Sequence, residues 1–109
     1  MSDLGGGVYL MPADSDAWEP DDDVGGLMQV LFEEGETAGG LWKPGEQTTV
    51  EGNRLPAGET VVVLQGTVRI EIEDGPTLEL TSGDLASLPK GANTNWYPSR
   101  DFIKVWLSS

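Results

Sequence analysis

The chain has 109 residues, enough for one domain around one hydrophobic core, and no apolar run reaches the ~18 residues of a membrane-crossing helix. Nineteen acidic residues face six basic ones, a formal net charge of −13, which argues against nucleic-acid and membrane partners. With no cysteine and no histidine, disulfides, thiolate nucleophiles, zinc–sulfur sites and the common histidine-dependent triads are excluded.

The start of the chain lacks a basic segment followed by an apolar one, so no secretory signal is expected and a cytoplasmic location follows as the expectation. Residues 1–7 end in Gly5-Gly6-Gly7 and predict a flexible start. Val8 to Met11 predicts a short strand, or an arm that docks on another surface. Residues 12–26 carry Pro12, Pro20, three aspartates in a row and Gly25-Gly26, which predicts a loop. Asp21, Asp22 and Asp23 are oxygen donors suited to calcium, but no glycine-containing twelve-residue loop surrounds them, and a solvated acidic loop is the simpler expectation.

From residue 27 strand signals dominate. Leu27 to Phe32 is an apolar run closed by Glu33-Glu34-Gly35, and Gly39 to Gly45 ends in a Pro-Gly turn. Val61 to Leu64 is β-branched and predicts a buried strand. Thr67 to Glu73 alternates strictly, with Val68, Ile70 and Ile72 on one face and Arg69, Glu71 and Glu73 on the other. Asp74-Gly75 turns the chain, Leu78 and Leu80 resume the apolar face, and Ser82-Gly83-Asp84 turns it again. Leu85–Leu88, Thr94–Tyr97 and Phe102–Leu107 complete a set of about eight to ten short strands with no helix, which predicts an all-β sandwich or barrel.

Two spacings sharpen this. Glu59 is followed by six residues and Gly66; Gly83 is followed by five residues, Pro89, one residue and Gly91. In this order, with these strands between them, they resemble the two motifs of the cupin superfamily, and Trp96 and Lys104 also fit. Over roughly residues 17 to 107 the chain is similar to the small single-domain, RmlC-like cupins related to ureidoglycine aminohydrolase and to the C-terminal part of the ethanolamine-utilisation Q protein. The resemblance implies a double-stranded β-helix, a jelly-roll barrel spanning 17–109, preceded by an arm and the start of the acidic loop over 1–16. It also implies dimers formed by pairing edge strands, to which residues 8–11 could contribute.

In metal-binding cupins two histidines precede the glutamate of the first motif and one follows the last glycine of the second. Here the first pair falls on Gly52 and Arg54, or on Asn53 and Leu55, and the later one on Thr94. Only Glu59 remains of the ligand set. One carboxylate does not hold a first-row metal, which needs three or four N, O or S ligands. No metal and no cofactor are therefore expected.

If the barrel forms as the resemblance implies, Arg54, Glu59 and Thr94 project toward its mouth, with Trp42 and Trp96 lining the cavity and Gln65 and Trp106 as further candidates. An arginine among aromatic rings suits an anionic or polar small molecule. Arg54 and Glu59 could equally pair with each other to close the mouth, and the tryptophans could be core. Three functions remain open: a metal-independent small-molecule-binding protein; an isomerase, lyase or cyclase with Glu59 as general acid or base; and a filled barrel serving as a structural or interaction module. Tyr97 should point outward beside Trp96. Lys104 shares a face with Trp106, and a structural salt bridge is expected of it.

Overall fold

The structure, a computed structural model, describes residues 2–47 and 49–109. Its strands are β1 (Ser2–Asp3), β2 (Tyr9–Leu10), β3 (Glu19–Pro20), β4 (Leu27–Glu34), β5 (Thr37–Lys43) and β6 (Val50–Arg54). They continue with β7 (Glu59–Gln65), β8 (Thr67–Ile72), β9 (Thr77–Thr81), β10 (Leu85–Leu88), β11 (Asn93–Pro98) and β12 (Ile103–Ser108). No helix occurs among the described residues, so none is long and apolar enough to cross a membrane.

The strands form a six-stranded sheet in the order β10-β7-β12-β5-β4-β3, a four-stranded sheet in the order β6-β11-β8-β9, and the hairpin β1-β2. All pairings are antiparallel, and non-sequential neighbours such as β7 beside β12 give the jelly-roll its crossovers. Between the two sheets lie Trp42, Val50, Val61, Val63, Val68, Ile70, Leu88, Trp96 and Phe102. Burying each large side chain of this kind stabilises the fold by about 1.5–3 kcal/mol.

The alternation over Thr67–Glu73 is realised: Val68 and Ile70 are 2% and 0% exposed, while Arg69 on the same strand faces solvent. Tyr97 points outward as expected, its hydroxyl donating to Glu71 Oε1 at 3.0 Å and its ring lying 4.6 Å from the Arg69 guanidinium carbon. That hydrogen bond, then burial and the Glu71 charge, raise the Tyr97 phenol pKa above the ordinary tyrosine value.

Three expectations change. The residues read as a flexible start include Ser2 and Asp3, which pair with Leu10 and Tyr9 around a turn whose three glycines all have positive φ. The segment read wholly as loop contains β3, because Glu19 and Pro20 pair with Met28 and Leu27. Val50–Arg54 is a strand without a strand-like sequence; β11 holds it on one side, and the Asn95 side chain accepts from the Gly52 N–H at 2.8 Å.

Gly66, the last residue of the first spacing, turns β7 into β8 at φ 76°. A Cβ there would stand 2.5 Å from Ser99 Oγ and 2.9 Å from the Phe102 Cα, so both the left-handed backbone and the close approach require glycine.

Candidate functional site

The barrel is packed at the end where β7 leaves and β12 enters, and open at the other. Here β7 begins with Glu59, paired on one side with Leu88 and on the other with Ser108. Val61 and Val63 follow Glu59 at intervals of two and are 0% and 1% exposed, so period-two alternation turns the carboxylate inward as well. From β12, the neighbouring strand of the same sheet, Lys104 also points inward beside Val63, and its Nζ donates to Glu59 Oε2 at 2.7 Å. The side chains of the pair are only 11% and 16% exposed.

The ammonium has a further environment. It lies 4.1 Å from the centroid of Trp96 and 5.4 Å from that of Trp42. Two indole faces and a carboxylate thus replace the water that a lysine in this position loses, which is what makes its burial tolerable. Trp42 is itself fixed: its Nε1 donates to the Gly25 carbonyl at 3.0 Å, and its ring meets Phe102 edge-on at 6.2 Å.

Above this pair opens a cavity of about 540 Å³, whose lining includes Trp42, Trp106, Glu59, Lys104, Arg54 and Asp21. Asn53, Leu55, Met28 and Asp23 complete much of its wall. Arg54 stands at the rim. The stretch after it is stitched to the second motif by Leu55 N–H to the Ala92 carbonyl at 2.9 Å and Gly91 N–H to the Leu55 carbonyl at 2.8 Å. Gly91, at φ 85°, leaves room for the guanidinium, which lies 3.8 Å from where a Cβ would be. Among the described residues no carboxylate lies within ion-pair distance of Arg54, so Glu59 pairs with Lys104 and not with Arg54.

The acidic loop is a turn with Asp22 and Asp23 exposed, as expected, and it carries its own hydrogen bonds. Asp21 Oδ1 accepts from the Asp23 and Val24 N–H groups at 3.0 and 3.3 Å, and Gln47 Nε2 donates to the Val24 carbonyl at 3.0 Å. These bonds hold Asp21, Asp23 and Val24 as one wall of the cavity.

Arg54, Glu59, Trp42 and Trp106 thus line one cavity. Trp96 lies behind it, against a void of about 20 Å³ that Trp42 and Lys104 also border. Thr94 is 2% exposed and committed elsewhere: its hydroxyl donates to the Asn53 carbonyl and accepts from Trp96 Nε1, both at 2.8 Å. Gln65 sits at the opposite end of β7, is exposed, and donates to the Asp101 carbonyl at 2.8 Å. The structure brings neither to the cavity. It adds Lys104, for which the alternation with Trp106 was the available signal, together with Asn53, which the sequence offered as a motif position, and Asp21 and Asp23, which it offered as an acidic loop.

The donor set can be compared with what a cupin metal requires. Gly52 has no side-chain donor, Arg54 carries positive charge, and Leu55 is apolar and buried at 3% exposure. The Thr94 hydroxyl is committed to the Asn53 backbone carbonyl, and Glu59 faces an ammonium. Among the described residues no group of three or more acidic, histidine or cysteine side chains is arranged to hold an ion. These residues do not fit a first-row metal.

Two antiparallel sheets wrapped as a jelly-roll, closed at one end and carrying a polar floor under the open one, define the cupin class of barrels. Residues 41–105 match the EutQ-like cupin domain, and the chain belongs to that family. A structure from Salmonella typhimurium LT2 described as an ethanolamine utilization protein Q superposes with a TM-score of 0.71 at 18% identity, over 84% of this chain and 76% of that one. The EutQ protein of Clostridium difficile gives 0.66 at 24% identity, over 77% and 67%. A cupin superfamily protein from Desulfitobacterium hafniense DCB-2 gives 0.66 at 16% identity, over 75% and 74%. No curated protein sequence matches the chain. At these identities the structural likeness establishes the fold.

Proposed function

We propose that the protein binds a small anionic or polar molecule in the open end of the barrel, without a metal. The observation that carries this reading is the free guanidinium of Arg54 at the rim above the Lys104 ammonium, both lining one cavity of about 540 Å³. That volume lies within the ~300–1,000 Å³ range of small-molecule sites. Glu59 neutralises most of the Lys104 charge, which leaves Arg54 as the cation with the most to gain from a ligand carboxylate or phosphate. Trp42 and Trp106 supply apolar walls for the rest of the molecule.

The test is a thermal-shift and calorimetric screen with small carboxylates and phosphate esters, with ethanolamine as a cationic control. An anion should raise the melting temperature, and Arg54→Ala should remove that rise while leaving the unliganded stability within about 0.5 kcal/mol of wild type. A shift with ethanolamine alone, or one that survives Arg54→Ala, would overturn the anion reading.

A second reading is favoured by one detail. Glu59 spends Oε2 on Lys104 and lines the cavity, so Oε1 is placed to exchange a proton with a bound molecule, as an isomerase, lyase or cyclase requires. Under it Glu59→Gln keeps the ligand-induced shift and abolishes turnover; equal loss of both refutes it.

A further inference from the structure

Among the described residues Lys104 is the one charged residue that is buried, at 8% exposed, whereas Lys90 and Arg54 are exposed and Lys43 is half-buried. An ion pair set this deep is a poor source of stability, because apolar side chains of similar volume often do as well. The amine nevertheless borders open space: Lys104 and Glu59 both line the cavity of about 540 Å³, and no other lysine among the described residues does. A lysine beside a proton acceptor in a cavity is the arrangement from which Schiff bases form.

We infer that Lys104 captures the carbonyl group of a small oxo acid as a Schiff base, with Arg54 holding the acid's carboxylate. This rests on the reading of the cavity as an anion-binding site and names the class of molecule. Glu59 takes one proton from the ammonium and frees the nitrogen lone pair. The nitrogen attacks the carbonyl carbon; a C–N bond forms and the carbonyl π electrons pass to oxygen. A second proton moves from nitrogen to that oxygen, giving a neutral carbinolamine. Glu59 then returns its proton to the hydroxyl, the C–O bond breaks, water leaves, and the nitrogen lone pair closes the C=N bond. The iminium keeps one proton on nitrogen, Glu59 is a carboxylate again, and no oxidant or reductant is consumed.

The charge balance accounts for the cage. Ammonium before and iminium after each place one positive charge on the same nitrogen. The carboxylate at 2.7 Å and the Trp96 ring at 4.1 Å therefore stabilise both states. A purely structural cation here could equally be arginine, which pairs with carboxylates and stacks on rings but does not give up its proton. Once formed, the iminium draws electrons from the adjacent carbon, and Glu59 is the base beside it.

The test incubates the wild-type protein with pyruvate and sodium cyanoborohydride, which reduces the iminium to a stable amine, and maps the product by peptide mass spectrometry. A carboxyethyl group should accumulate on Lys104 about tenfold faster than on Lys43 or Lys90. Acetone, which replaces the carboxylate by a methyl group, should label Lys104 more slowly, and Arg54→Ala should erase the preference for pyruvate. Lys104→Arg keeps a cation in the cage and should lose the rapid adduct while retaining the wild-type circular dichroism. Labelling of Lys104 no faster than of Lys43 and Lys90 overturns the inference. If pyruvate without cyanoborohydride still raises the melting temperature in that case, the binding reading stands alone. Equal capture of acetone and pyruvate overturns the assignment to oxo acids and counts against the anion reading as well.

Discussion

The two ends of the barrel are built from the same strands and do opposite things. Where β7 runs into β8, Phe102 is 0% exposed, Val63 1% and Ile70 0%, and the Ser99–Asp101 turn closes over Gly66. Where β7 begins, Glu59 meets the Nζ of Lys104, which reaches up from its place beside Val63, beneath an open cavity. One end maximises apolar contact; the other accepts the desolvation of two charges and an arginine that has no ion-pair partner among the described residues. Ion pairs in such positions are weak evidence for stability, since apolar residues of similar size often do as well or better. The open end therefore contributes less to holding the fold together than the closed one.

This contrast can be broken first at the closed end. Phe102→Ala should cost about 3–5 kcal/mol, the largest effect of any substitution considered, and lower the melting temperature by well over 10 °C in a domain of this size. A loss below about 1 kcal/mol in chemical denaturation would mean that this end is not the stability core. At the open end Lys104→Met strands the Glu59 carboxylate in a largely enclosed site and should cost about 3 kcal/mol. Adding Glu59→Gln should return about 1–3 kcal/mol of this, read as the coupling energy of a double-mutant cycle. Additive losses would show that the two groups do not communicate.

Thr94→Val sharpens the comparison at the boundary between the ends. It keeps the shape but leaves Trp96 Nε1 without its acceptor, and should cost about 1–2 kcal/mol without changing ligand binding. The smallest effect is expected outside the barrel. The Tyr97 phenol is stabilised in its protonated form, so the contribution of its bond to Glu71 is fully present below the ordinary phenol pKa. It disappears as pH rises through the raised one. Ultraviolet titration of Tyr97 in a Tyr9→Phe background should show a lower apparent pKa after Glu71→Gln.

Much of the barrel was legible because its strands carry local signals. Thr67–Ile72 alternates, Leu85–Leu88 sits between two turns, and the two glycine-terminated spacings fall at bends whose φ is positive. β6 was not legible: Gly52, Asn53 and Arg54 have weak strand preference, and β11 imposes the conformation from outside. The site was legible in part. Alternation placed Lys104 and Trp106 on one face, but Glu59 lies 45 residues away, and no local pattern states which cation it meets. Thr94 and Gln65 illustrate the converse. Position along a strand does not reveal that one hydroxyl is consumed by Asn53 and Trp96, or that one amide is tied to Asp101.

The ammonium lodged against Trp96 and Trp42 has an optical consequence. Two of the chain's four tryptophans carry a positive charge close to the ring face within the same nest, and a third, Trp106, faces the cavity above. A molecule bound in the cavity as proposed, drawing Lys104 toward itself, would change the electric field across those rings, and with it the colour and yield of their emission. Tryptophan emission would then serve as an unlabelled indicator for the binding screen.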